Sequence, residues 1–75
     1  MHLTFPYHFQ FRLHERNLNV EDIKLAIRIP DFQKDSHEGR TIVRKEIAGK
    51  ILEVIYLKNK HKTNEYAIIT SYYIK

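Results

Sequence analysis

The chain has no cysteine, two glycines and two prolines among its 75 residues, and each shortage removes a class of function. Without thiols there is neither a disulfide framework nor a thiolate metal site, and a reducing cytoplasm is the expected compartment. With only Gly39 and Gly49, the chain has no glycine-rich phosphate loop, and no serine stands on a glycine-flanked elbow of the hydrolase type. No stretch approaches the roughly 18 apolar residues of a membrane span. The opening Met1-His2-Leu3-Thr4-Phe5-Pro6 lacks a basic region followed by a long apolar run, so no secretory signal is expected. The histidines, His2, His8, His14, His37 and His61, fall in different segments, and His37-Glu38 is not followed by the second histidine of a zinc-protease helix. Neither a metal nor another cofactor is therefore expected.

A chain of this length makes one domain, residues 1–75, and buries only about 60% of its extended surface. A protein partner or a homodimer would supply stability that so small a core lacks. The net charge of +4 is unevenly placed. Residues 40–63 carry seven cations against two carboxylates, whereas residues 19–39 are net acidic. The third quarter of the chain is thus the electrostatic footprint, fit either to draw a polyanion or simply to keep the protein dissolved.

Local patterning predicts two helices followed by strands. Phe9 and Leu13 share an apolar side over residues 7–16, with Pro6 before the first turn and Asn17 as a left-handed cap. The second helix, 20–28, is better marked. Asn19 is an N-cap, Asp22 lies in the first turn, and Leu18 can staple onto Ile23. Ile23, Ala26 and Ile27 face the core, and Pro30 ends the helix. Residues 30–39 read as a polar loop. Strands are expected at 40–46, 50–58 and 65–74, with turns at Ala48-Gly49-Lys50 and at 59–64. Leu3-Thr4-Phe5 can add a short edge strand. The expected fold class is α+β: two short helices packed on a three- to four-stranded antiparallel sheet whose other face is free to bind. A helix-turn-helix reading fails, because the second helix is acidic at its start and lacks base-reading polar residues.

His8, Arg12 and Arg16 are spaced four apart and so share one helix face. An imidazole and two guanidiniums suit a phosphate, although such residues also serve as an ordinary solvated face. The run H-x3-R-x3-R-N-L, the capped helix with Glu21-Asp22-Ile23, and the final Ile68-Ile69-Thr70-Ser71-Tyr72 together resemble a small prokaryotic family catalogued as domain of unknown function 4258. That family is similar to the RelE-like and BrnT-like toxins, within a wider group that includes barnase-type ribonucleases. The resemblance covers roughly residues 5–74. Asn17 stands where glycine is usual, and Phe9 where a small residue is usual.

The resemblance implies a RelE/barnase-like fold and a metal-independent endoribonuclease toxin, with RNA (ribosome-bound mRNA included) and an antitoxin as partners. Family positions carry over to His8, Arg12, Arg16, Thr70 and Tyr72. In such a reading His8 moves a proton, Arg12 holds the scissile phosphate, and Arg44 or Lys45 adds a second cation. Tyr72 stacks a base or donates a proton. Arg16, Arg40, Lys58, Lys60, Lys62 and Thr70 contact the RNA. Each has a plainer alternative: His8 packs the helix start, Arg16 pairs with a carboxylate such as Asp22, one of Tyr72 and Tyr73 is core, and the lysines solubilise a turn. Glu15 and Glu46 are the candidate carboxylates for a second acid/base group. The reading from a different class is an inactive module of the same fold that binds RNA or protein.

Overall fold

The computed structural model describes residues 1–59 and 61–74. Its elements are β1 (His2–Thr4), α1 (Phe9–Glu15), α2 (Val20–Arg28), β2 (Phe32–Asp35), a 3-10 turn (His37–Gly39), β3 (Arg40–Ile47), β4 (Lys50–Lys58) and β5 (Glu65–Tyr73). The strands form one sheet in the order β1-β5-β4-β3-β2, with β4 central.

The α+β class stands, but the sheet has five strands and is mixed. β1 runs parallel to β5, pairing His2 with Glu65 and Thr4 with Ala67, while the other neighbours are antiparallel. Residues 30–39 are not simply a loop: Phe32–Asp35 pair with Thr41–Arg44 as an outer strand. All four residues are exposed. An edge strand needs hydrogen bonds from one neighbour only and buries little, so it carries no apolar alternation to announce it.

α2 forms where its cap puts it, whereas α1 starts at His8 without a side-chain capping bond and spans Phe9–Glu15 within the expected 7–16. The Asn19 side chain accepts from the Glu21 N–H at 2.8 Å, with Glu21 and Asp22 in the positive first turn of α2. Asn17 takes the left-handed conformation, φ 51°, that turns the chain between the helices. Ile23, Ala26 and Ile27 are buried on the helix-facing side of the sheet, with Phe9 from α1 and with Val43, Leu52, Val54, Tyr56 and Ile68 from the strands. Phe5 stacks on Phe9 with ring centroids 5.9 Å apart. The β3–β4 hairpin closes through Ala48 and Gly49, both at positive φ (53° and 81°), the backbone of a two-residue primed turn. Side chains alternate across a sheet, so this one turn assigns every residue of both strands to a face.

Candidate functional site

Helices cover one face of the sheet and leave the other open. Val43, Lys45, Leu52, Val54, Ser71 and Tyr73 fall on the helix side; Arg44, Glu53, Thr70 and Tyr72 fall on the open side. In the middle of that open face the central strand carries a carboxylate. Glu53 is only 5% exposed. It is held from both neighbouring strands: Arg44 Nε donates to its Oε1 at 2.8 Å, and the Tyr72 hydroxyl donates to its Oε2. Burial is the largest influence on Glu53 and pushes its pKa up. The bonds from Tyr72 and Arg44 together outweigh it, and the carboxyl stays below its ordinary value. The complementary effect falls on Tyr72, whose pKa is raised, first by that same bond to Glu53. At neutral pH the site therefore holds a carboxylate, a protonated phenol and a guanidinium.

Arg16 joins the cluster from the helical layer. β1 pairs with only the first residues of β5, so the outer edge of β5 is bare by Ser71. Arg16 Nη1 donates to the Ser71 carbonyl at 3.0 Å, and its guanidinium lies 6.0 Å from the Tyr72 ring centroid. The partner of Arg16 is thus a strand edge and an aromatic ring, where Asp22 was the expected alternative. On the far side, the Arg44 guanidinium lies 5.1 Å from the Phe32 ring centroid. Arg44 contacts Glu53 through Nε alone; among the described residues its terminal nitrogens have no hydrogen-bond partner, and its side chain is 46% exposed.

Of the residues expected from the sequence, Arg16, Arg44 and Tyr72 come together, with Thr70 two residues along the same face. Lys45 does not join them. It points to the helix side and pairs with Asp31 at 3.4 Å. Tyr73 packs against the core, so Tyr72 is the member of that pair on the open face. Arg12 is engaged in an exposed ion pair with Glu15 at 3.1 Å. His8 is the N-cap of α1, with helical dihedrals and no capping bond from its side chain, two helical turns from Arg16. Arg40 lies exposed on the open face, about 13 Å along β3 from Arg44 at the usual strand rise. Lys58 and Lys62 line a groove with Asn59 and His61 at the other end of the sheet. Lys60 lies outside the described residues. Among the described residues, no three His, Cys, Asp or Glu side chains gather as a metal site. Among the described residues, no helix is long and apolar enough to cross a membrane.

The sequence reading passed over Glu53 in favour of Glu15 and Glu46. A signal for it was present. A lone carboxylate in the apolar run Ile51-Leu52-Glu53-Val54-Ile55 needs a partner, and counting outward from the Ala48-Gly49 turn pairs Arg44 with it. Tyr72 could not be reached the same way, because the β4–β5 register shifts between Ile55 and Tyr56.

No family model matches the chain, and neither a curated protein nor a solved structure is significantly similar to it.

Proposed function

We propose that the open sheet face binds RNA and that the chain is a metal-independent endoribonuclease of the toxin–antitoxin kind, RelE/barnase-like in fold, acting in the cytoplasm. The observation that carries this reading is Arg44, whose unengaged terminal nitrogens stand beside a buried carboxylate on an uncovered surface. A guanidinium so placed is a ready fork for a phosphate. When a phosphate draws Arg44 away, Glu53 loses a bond that keeps its pKa low while its burial persists. Its basicity rises at the moment that a base is needed. Glu53 then takes the proton of the 2′-hydroxyl, and the 2′-oxygen attacks phosphorus. The P–O5′ bond breaks, leaving a 2′,3′-cyclic phosphate and a 5′-hydroxyl. Tyr72 supplies the proton to O5′ and recovers one from Glu53 across their shared hydrogen bond. Arg44 and Arg16 offset the charge that builds on the phosphorane. Arg40 extends the cationic track along β3, and an antitoxin with an acidic segment is the expected partner for the same face.

The test is cleavage of RNA by the purified protein in EDTA, by wild type and by folded Glu53→Gln, Arg44→Ala and His8→Ala variants. Cyclic phosphate ends from wild type and His8→Ala, lost in the other two, are expected. Loss in His8→Ala alone moves the chemistry to α1. No cleavage of free RNA, and none with translating ribosomes, overturns the enzyme and leaves a binding module. One observation favours that second reading: Glu53 already has both oxygens bonded and sits below the ordinary carboxylate range, as a purely structural glutamate would.

A further inference from the structure

The two edges of the sheet are finished differently. At one edge β1 is three residues long, and where it stops Arg16 occupies the Ser71 carbonyl. At the other edge β2 is outermost, and all four of its residues are exposed. The Ser36 N–H donates to the Arg40 carbonyl at 2.7 Å, in line with the pairing of Lys34 with Ile42 and of Phe32 with Arg44. Backbone groups alternate in direction along an antiparallel strand, so Phe32, Lys34 and Ser36 turn theirs to β3 while Gln33 and Asp35 turn theirs outward. Among the described residues, the outward N–H and C=O groups of Gln33 and Asp35 have no partner. The strand contains no proline, and Lys34 is its one cation. Phe32 adds a ring that is 44% exposed. Side chains alternate as well: Phe32 and Lys34 lie on the open side, Gln33 and Asp35 on the helix side.

We propose that β2 pairs with β2 of a second copy of this chain, antiparallel about a two-fold axis at Lys34, joining two five-stranded sheets into one. Complementarity names the occupant. In this register Gln33 of each copy faces Asp35 of the other, and four backbone hydrogen bonds use every outward group of both strands. On the helix side each Gln33 amide donates to the facing Asp35 carboxylate. Sliding the copy by two residues either way leaves two of the four bonds and sets Asp35 against Asp31 or against its own copy. The unfavourable contact of the four-bond register is Lys34 against Lys34 on the axis. One like-charged pair on long side chains that can splay apart opposes less than four backbone bonds supply, and Phe32 of the other copy lies diagonally within reach of each ammonium. A two-fold axis perpendicular to the sheet keeps both open faces on one side. Strand spacing and rise then put the two Arg44 positions about 20 Å apart, with the Lys34 pair midway between them.

An edge this short buries less than the roughly 1,200 Å² of a stable interface, so the dimer is weak and half-formed near roughly 100 µM. Sedimentation velocity from about 10 µM to about 1 mM, at low and at high salt, reads it. Wild type is expected to dimerise, and more tightly at high salt, because salt screens the Lys34 pair. Amide exchange at Gln33 and Asp35 slows as the concentration rises. Gln33→Pro removes an N–H that the monomer leaves in solvent, so the variant folds and stays monomeric at every concentration. Mixing wild type with Lys34→Glu sets opposite charges on the axis and gives a mixed dimer about fivefold tighter than either protein forms alone. Wild type that stays monomeric throughout, or a dimer that survives in folded Gln33→Pro, overturns the pairing. If Gln33→Pro does not fold, a mixed dimer no tighter than wild type overturns it. The RNA reading stands or falls separately, on the cleavage test.

Discussion

On its helix side the sheet presents Val43, Leu52 and Val54, all with no measurable exposure, and the buried hydroxyl of Ser71, which donates to the Glu53 carbonyl at 2.9 Å. One residue along each strand, on the other side, stand Arg44, Glu53 and Tyr72. The two faces share a backbone, a register and a hairpin turn, yet they solve opposite problems. The helix side is held by area removed from water, which is non-directional and tolerates exchange among apolar residues of similar volume. The open side puts a carboxylate where it is almost out of water, and that is tolerable only with partners from both neighbouring strands. Apolar packing and the buried polar cluster are thus interleaved along β4 with a period of two.

The neighbours Leu52 and Glu53 give the sharpest way to break that comparison. Leu52→Ala is expected to lower the unfolding free energy by about 3 kcal/mol through lost burial and a residual cavity, read from urea denaturation. A loss under about 1 kcal/mol would mean that the helix side is not the main source of stability. Glu53→Gln is expected to cost less, about 1–2 kcal/mol, while reducing RNA cleavage by at least about 100-fold. The same variant tests the electrostatics. A carboxyl held below its ordinary pKa in the folded state adds stability at neutral pH. That contribution is present above the unfolded glutamate value, about 4.3, and disappears as the pH falls through the folded value. Wild type should therefore lose stability on acidification below about pH 5 more steeply than Glu53→Gln; parallel curves would show that Arg44 and Tyr72 do not hold Glu53 ionised.

Arg16→Ala addresses the place where the two faces meet. It uncovers the Ser71 carbonyl at the β5 edge and removes the cation beside Tyr72, at an expected cost of about 1 kcal/mol. Arg16→Lys should restore little of it, since an ammonium lacks the planar fork. The smallest effect is at the turn that both faces share. Ala48 sits at φ 53° without the freedom of glycine. Ala48→Gly is expected to raise stability by no more than about 1 kcal/mol and to leave cleavage unchanged. A change in cleavage would show that the hairpin register moves with the turn.

What the sequence made legible divides along physical lines. α2 was readable to its ends because Asn19, Asp22 and Pro30 act on their own backbone within one turn. β3 and β4 were readable because both are rich in β-branched and other apolar residues and flank the Ala48-Gly49 turn. β2 was hidden because Phe32-Gln33-Lys34-Asp35 lies at an edge and buries little. The parallel pairing of β1 was hidden because it joins residues more than sixty positions apart, and no local pattern encodes it. The site divides in the same way. His8, Arg12 and Arg16 were grouped by helical spacing, but spacing says nothing of what lies opposite. Only Arg16, at the end nearest the bare strand edge, meets the sheet cluster. Arg44 and Lys45 could not be separated until register fixed a face for each.

The long-range partnership of β1 and β5 bears on how the molecule comes into being. During synthesis the two helices and the β3–β4 hairpin can assemble from neighbours in the chain. β1 has no strand to join until Glu65 emerges, and Glu53 meets its phenol only when Tyr72 does. Contacts of such sequence separation are the slow ones in folding. A nascent chain therefore spends most of its elongation with a scaffold and without the completed cluster of Arg44, Glu53 and Tyr72, which closes only when the fifth strand is in place.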